Sequence, residues 1–186
     1  MFIGNGNAIA STLSFDKKKL VCIPDTTELI LRGKLFTVQQ IFTIGASSSR
    51  YINCDPTVLV PDLPTFEGKV VAYPLSFLAR GGESDAKIWI GGDYSGGTDA
   101  IVNNRNGLSS NVNQMTCKID PTGSNKGTMK FEYITGSSSQ AFITGGGENR
   151  EDYPIILNNT VKYLLELNNT NGVPIDIEVR FNFAEF

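Results

Sequence analysis

Apolar residues recur every second position near the C-terminal end of the chain. Val173, Ile175, Ile177, Val179, Phe181 and Phe183 share one parity, and Pro174, Asp176, Glu178, Arg180, Asn182 and Ala184 occupy the other. A period of two is that of a β-strand with one face in a core. Just upstream, Val161, Tyr163, Leu165 and Leu167 again share a parity, and Asn168-Asn169-Thr170-Asn171-Gly172 supplies turn residues that tolerate positive φ. The two runs are expected to form a hairpin. Leu164 breaks the polar parity of the first run, which predicts that this strand is covered on both faces, by another layer of its own chain or by a neighbouring subunit.

Further strands are predicted over Leu35–Ile44, residues 70–80, 87–90 and 114–119, Gly127–Ile134 and residues 140–143. Between them lie Gly45-Ala46-Ser47-Ser48-Ser49, Gly91-Gly92, Gly96-Gly97, Pro121-Thr122-Gly123-Ser124, Gly136-Ser137-Ser138-Ser139 and Gly145-Gly146-Gly147, each of which would interrupt a helix. Residues 25–31 read equally well as a brief helix capped by Asp25 or Thr26 and as a strand through Leu29, Ile30 and Leu31. Pro56, Pro61 and Pro64 mark a loop. Roughly seven to nine short strands joined by polar loops predict an all-β fold, an antiparallel β-sandwich of jelly-roll-like form. Residues 1–24 carry small residues, the cluster Lys17-Lys18-Lys19 and little periodicity, and are expected to be an extended N-terminal arm ahead of a sandwich domain over residues 25–186.

Composition agrees with one folded domain. The chain has 186 residues, of which 40% are hydrophobic and 19% charged, enough apolar material for one core and too little charge for a disordered tail. The net charge of −3 and the lack of any basic run longer than three residues argue against nucleic acid as a partner. No apolar stretch approaches the length of a membrane span, and no secretory leader is read at Met1-Phe2-Ile3, so no membrane is expected.

Candidate chemistry is sparse. The chain contains no histidine, which removes Ser-His-Asp and Cys-His triads, and no catalytic residue is assigned. Asp85, Asp93, Asp99, Glu148, Glu151, Asp152 and Glu166 are candidates for a glycosidase-like carboxylate pair, but no spacing selects two of them. Residues 91–99 combine Asp93 and Asp99 with glycine carbonyls that suit calcium, yet lack the full calcium-loop pattern. Gly145-Gly146-Gly147 is not followed by Lys-Ser/Thr, as a phosphate cradle would be. Cys22, Cys54 and Cys117 are scattered and odd in number, which disfavours a zinc site or disulfide framework and predicts free thiols in a protein made in a reducing compartment. Accordingly no cofactor and no metal are expected. Tyr51, Phe66, Tyr73, Phe77, Trp89, Tyr94, Tyr133, Tyr153 and Tyr163 could stack on sugars, but most are expected in the core, Trp89 among them. Asn158 and Asn168 begin glycosylation acceptor triplets that matter only in a secretory pathway.

Two runs carry a resemblance. Asp93-Tyr94-Ser95-Gly96-Gly97-Thr98-Asp99 through Asn103-Asn104-Arg105-Asn106 resembles a recurrent phage pattern of strand end, Gly-Gly-Thr turn and Asn-rich segment. The C-terminal third, from Gly147-Glu148-Asn149-Arg150 through Thr160, Tyr163-Leu164-Leu165, Leu167 and Asn169, then Gly172, Asp176-Ile177 and Arg180-Phe181, is similar to the ending of small structural proteins of tailed-bacteriophage virions. Gly33-Lys34-Leu35-Phe36-Thr37-Val38 matches the family's N-terminal strand more loosely, and the arm and Phe186 depart from the pattern. The resemblance implies a non-enzymatic virion protein, made in the cytoplasm of a bacterial host, that forms homo-oligomers and contacts capsid, portal or neck, or tail proteins as a decoration, collar or tail component. A host surface glycan is a further candidate partner, under the alternative reading of a carbohydrate- or receptor-binding adhesion module.

Overall fold

A computed structural model of the chain describes residues 14–16, 19–21, 26–58, 70–72, 76–80, 82–134, 143–144 and 155–185. Its strands are β1 (Ser14–Asp16), β2 (Lys19–Val21), β3 (Leu35–Ile44), β4 (Ser49–Asp55), β5 (Val70–Ala72), β6 (Ser76–Arg80), β7 (Ser84–Gly91), β8 (Thr98–Asp99), β9 (Val102–Asn104), β10 (Thr116–Ile119), β11 (Gly127–Ile134), β12 (Ile143–Thr144), β13 (Ile155–Leu157), β14 (Tyr163–Asn169) and β15 (Ile175–Glu185). A short helix, α1 (Thr26–Leu31), precedes β3, and Pro56–Val58 forms one 3-10 turn.

The alternation read in β15 pairs with that of β3 from Ala184↔Leu35 to Ile175↔Ile44. Phe36, Val38, Phe42 and Ile44 of β3 and Ile175, Ile177, Val179 and Phe183 of β15 all point to one side and are buried there. On the other side Thr37 donates to Asn182 (2.6 Å), Gln39 to Glu178 (2.7 Å) and Thr43 to Asp176 (2.7 Å), a polar ladder suited to water.

Helix α1 covers one end of that outer side, where Leu29 packs with Leu35 and Ala184. For residues 25–31 helix and strand read equally, and Gly33 decides between them. At φ +64° it closes the helix in a Schellman motif, with the Lys34 N–H bonded to the Leu29 carbonyl and the Gly33 N–H to that of Ile30. The Asn-rich run then holds this end in place: Asn104 donates to the Gly33 carbonyl, Asn106 to that of Leu31 and Asn111 to that of Arg32.

One sheet has the order β12-β6-β15-β3-β9, with β5 joining β15 and β13, and the other β11-β7-β14-β4-β10-β8. If β3, β4, β6, β7, β11, β12, β14 and β15 are ranked one to eight in chain order, the first sheet reads 6-3-8-1 and the second 5-4-7-2. That interleaving of two Greek keys is the jelly-roll wrap, with β8, β9 and β10 as an excursion between the fourth and fifth strands. The core lies between the sheets, where Ile52, Ala86, Leu165 and Leu167 face Phe36, Ile177, Val179 and Phe183.

The wrap corrects the expected C-terminal hairpin. β14 and β15 do not pair: β14 lies between β4 and β7, and β15 between β3 and the β6 and β5 strands of the opposite sheet. Both strands have an apolar face of their own to bury, and crossing the sandwich lets those faces meet. Asn169 makes the corner, donating to the carbonyls of Ile44 (3.0 Å), Gly45 (2.9 Å) and Val173 (2.8 Å). Other boundaries also move. Residues 70–80 contain two strands, β5 and β6, and β4, unforeseen from sequence, is central to its sheet. In the expected arm, β1 and β2 pair antiparallel with each other.

Candidate functional site

Parity determines what the second sheet presents on its outer face. Ala86 and Ile88 of β7, Leu165 and Leu167 of β14, and Ile52 and Cys54 of β4 point into the core. Trp89, Lys87 and Asp85, Leu164, Glu166 and Asn168, and Tyr51 and Asn53 therefore point outward. In register, Glu166 lies between Lys87 and Tyr51, and Leu164 between Trp89 and Asn53. This outer face is nonetheless buried at its centre: Leu164 is 2% exposed, Asn53 4% and Glu166 4%. The cover predicted from Leu164 is present within the chain.

Two loops help to supply it. Asp93 clasps the turn after β10, accepting from the backbone N–H groups of Ser124 (3.0 Å) and Asn125 (2.9 Å) and from the Ser124 hydroxyl (2.8 Å). The bond from Asn125, and then that from the Ser124 hydroxyl, hold the Asp93 carboxyl below its ordinary range. Ser95 and Thr122 exchange backbone bonds of 2.9 Å, joining the two loops. The pair brings Tyr94 to within 5.3 Å of Tyr51, ring to ring, and sets the Lys126 ammonium 5.4 Å from the ring centres of both Tyr51 and Trp89.

Glu166 is the centre of this cluster. Its carboxylate accepts from Trp89 Nε1 at 2.8 Å and from the Lys126 ammonium at 2.5 Å, with the Tyr51 hydroxyl at 3.4 Å. Burial lowers the Lys126 pKa, but the hydrogen bond to Glu166 and its charge outweigh that effect and leave the value raised. Burial raises the Tyr94 phenol. Beside the cluster the Asn53 side-chain oxygen is buried and accepts no hydrogen bond from the described residues.

The sequence candidates for a carboxylate pair are not drawn into one site among the described residues. Asp85 accepts from the Asn168 amide and lies 3.5 Å from Lys87, which also reaches Glu132 at 3.2 Å. Asp99 meets Lys118 at 2.5 Å, Asp93 holds its loop, and Glu166 holds Lys126. Asp93 and Asp99 of the glycine-rich loop thus serve different partners, and among the described residues no three His, Cys, Asp or Glu side chains are grouped to hold a metal ion. Glu148, Glu151, Asp152, Gly145-Gly146-Gly147, Phe66, Tyr73, Tyr153 and Cys22 lie outside the described residues, and Phe77 and Tyr133 are described in their backbone alone.

Trp89 corrects an expectation. It stands half-buried on the outer face, because Ile88 occupies the core parity of β7, and Lys126 lies over its ring. A sugar-stacking platform here would first need that lysine displaced. Sequence reading also missed Tyr51, Asn53 and Lys126 as members of one cluster. The available signal was the alternation in β4, where Ile52 and Cys54 interleave with Tyr51 and Asn53.

The second sheet ends in β11, which among the described residues pairs with β7 alone. Met129 and Phe131 are 44% and 41% exposed on this edge, and the register skips Lys130, leaving a β-bulge between them. No described helix is long and apolar enough to cross a membrane.

No family model matches the chain, and no curated protein matches it. Among solved structures it is similar to the crystal structure of the infectious bursal disease virus VP2 subviral particle at 14% identity and a TM-score of 0.14. That alignment covers 94% of this chain and 46% of the other, so the chain spans less than half the length of that protein.

Proposed function

We propose that this chain is a non-enzymatic structural component of a tailed-phage virion, assembled on the head, neck or tail through protein–protein contacts. The observation that carries the reading is the β11 edge. An edge strand that among the described residues leaves one row of main-chain donors and acceptors unpaired, with Met129 and Phe131 exposed, is a template for a strand of another chain. The bulge at Lys130 interrupts that template, which favours a partner of defined shape over open-ended stacking. The jelly roll suits a rigid building block, being an architecture of capsid and lectin domains, although a fold does not by itself assign a function. The C-terminal resemblance supplies the virion. Within the described residues each candidate acid is held by a partner of its own, which agrees with a role in packing.

The test is attachment. The recombinant chain is sized by light scattering, mixed with particles that lack it and located by cryo-microscopy, alongside a Met129→Lys/Phe131→Lys double variant whose fold is checked by circular dichroism. Density for the wild type at repeated positions, lost in the folded variant, is the expected result. A strictly monomeric chain that attaches nowhere overturns the reading, and a glycan-array signal from that same monomer would put adhesion in its place.

A further inference from the structure

Cys54 and Cys117, 63 residues apart in sequence, lie directly opposite each other on β4 and β10, with their sulfurs 3.8 Å apart. The ladder decides what such a pair can do. The Asp120 N–H bonds the Tyr51 carbonyl, which makes Tyr51/Asp120 a hydrogen-bonded pair. Pairs alternate along an antiparallel ladder, so Asn53/Lys118 is also hydrogen-bonded and Cys54/Cys117 is not. Opposed residues at a non-hydrogen-bonded site have Cα atoms about 4.5 Å apart, within the range that a disulfide spans, and their side chains lean together. Closing the sulfurs to about 2.05 Å then takes side-chain rotation without moving a strand.

We propose that Cys54 and Cys117 are a disulfide-forming pair, a cross-strand staple closed by a peroxide. The Cys54 thiolate attacks one peroxide oxygen, the O–O bond breaks, and hydroxide leaves Cys54 as a sulfenic acid. The Cys117 sulfur attacks the Cys54 sulfur, and the sulfenic oxygen leaves as water. Two thiols and one hydrogen peroxide become one disulfide and two waters, with two electrons passing from sulfur to oxygen. Cys54 acts first because it is the more exposed, 8% against 3%. The bond between the thiols, and then burial, hold the Cys117 thiol well above the ordinary range.

Both sulfurs face the core, so reaction waits on local opening. β10 is placed to open. Among the described residues only β8 lies beyond it, paired at Lys118↔Asp99 and Ile119↔Thr98, with one further bond from the Ala100 N–H to the Cys117 carbonyl. The chain is therefore slow to oxidise when folded and resists reopening once stapled. This inference stands whether or not the chain belongs to a virion.

The test uses the full chain, purified reduced and exposed to hydrogen peroxide, then alkylated under denaturing conditions and weighed intact. The expected product has lost two hydrogens, yields a Cys54–Cys117 cross-linked peptide, and melts roughly 5–10 °C higher. Cys54→Ala and Cys117→Ala each abolish the mass loss and the rise in Tm, whereas Cys22→Ser retains both. Urea below the unfolding transition speeds closure at least about tenfold. The peptide map of the wild type decides the matter even if a variant fails to fold. Cross-links that run through Cys22, or sulfinic acids at Cys54 and Cys117 without a link between them, overturn the proposal.

Discussion

The Lys126 ammonium and the Glu166 carboxylate meet at 2.5 Å on the outer face of a sheet whose other face is the core of the domain. Glu166 has a 5% exposed side chain and Lys126 a 32% exposed one, so the buried partner depends on the wetter one. Removing the cation leaves a carboxylate that cannot rehydrate and that, among the described residues, retains Trp89 and Tyr51 as donors. Lys126→Met should cost about 2 kcal/mol, below the range for a fully buried pair because Lys126 is itself in partial contact with water. Adding Glu166→Gln should recover part of that loss by neutralising the stranded charge. Urea unfolding of the two single variants and the double variant measures the coupling, and strictly additive losses would show that the pair is not what holds the loop.

Glu185 predicts a pH dependence of the opposite sense to that of an ordinary paired carboxylate. Its carboxylate accepts from the N–H groups of Gln114 (2.9 Å) and Met115 (2.7 Å), but burial outweighs these bonds and raises its pKa above the ordinary 4.5. A folded acid with a raised pKa binds more protons than the unfolded chain, so its contribution falls as pH rises from 4.5 through the raised value. Asp93, whose pKa is lowered from 3.8, contributes above that value and loses its contribution only in stronger acid. The stability of the wild type relative to Glu185→Gln should therefore decline as pH rises above about 4.5, across the interval in which the raised carboxyl titrates. Parallel stability curves for the two proteins over that interval would contradict the assignment.

How much of this was legible in the sequence depended on whether the signal was local. β3 and β11 are found at the predicted residues, since alternation is a property of one strand. Pairing is not. β14 and β15 read as a hairpin because the run from Asn168 to Gly172 looks like a tight turn, and no local feature says that the strands belong to different sheets. β4 escaped because its apolar parity holds Ile52 and Cys54 in a segment otherwise polar. The Glu166 cluster draws on β4, β7, β14 and a loop, a combination that only the topology creates.

Asn169 tests the corner that replaced the hairpin. It is 2% exposed, it donates to three carbonyls, and its own side-chain oxygen accepts from the Asn171 N–H at 2.8 Å. Asn169→Ala would strand those carbonyls and should cost about 2–3 kcal/mol, whereas Asn159→Ala, away from the corner, should cost less than about 0.5 kcal/mol. Equal losses in chemical denaturation would mean that the crossing is held by the apolar faces of β14 and β15 and not by this side chain.

Gly127 begins the edge strand at φ +88°, a conformation that L side chains rarely adopt, and a Cβ there would lie 2.2 Å from the Ile90 carbonyl oxygen and 2.7 Å from the Gly92 nitrogen. Both obstacles are backbone, so neither can swing aside. Gly127→Ala should cost about 3 kcal/mol, and because the strain enters at the first pair of the β11–β7 ladder it should loosen β11 before the core. Gly172 is the control: it lies outside the positive-φ region, and a Cβ there meets nothing within 4 Å, so Gly172→Ala should be neutral or stabilising by up to about 1 kcal/mol. Hydrogen exchange separates the two effects. Loss of protection at residues 128–134 in Gly127→Ala, with Leu165, Leu167 and Ile177 still protected, would tie the edge to this glycine, and attachment to particles should weaken in step. Uniform loss of protection across both sheets would show instead that β11 unfolds only with the whole domain, leaving no separately adjustable edge.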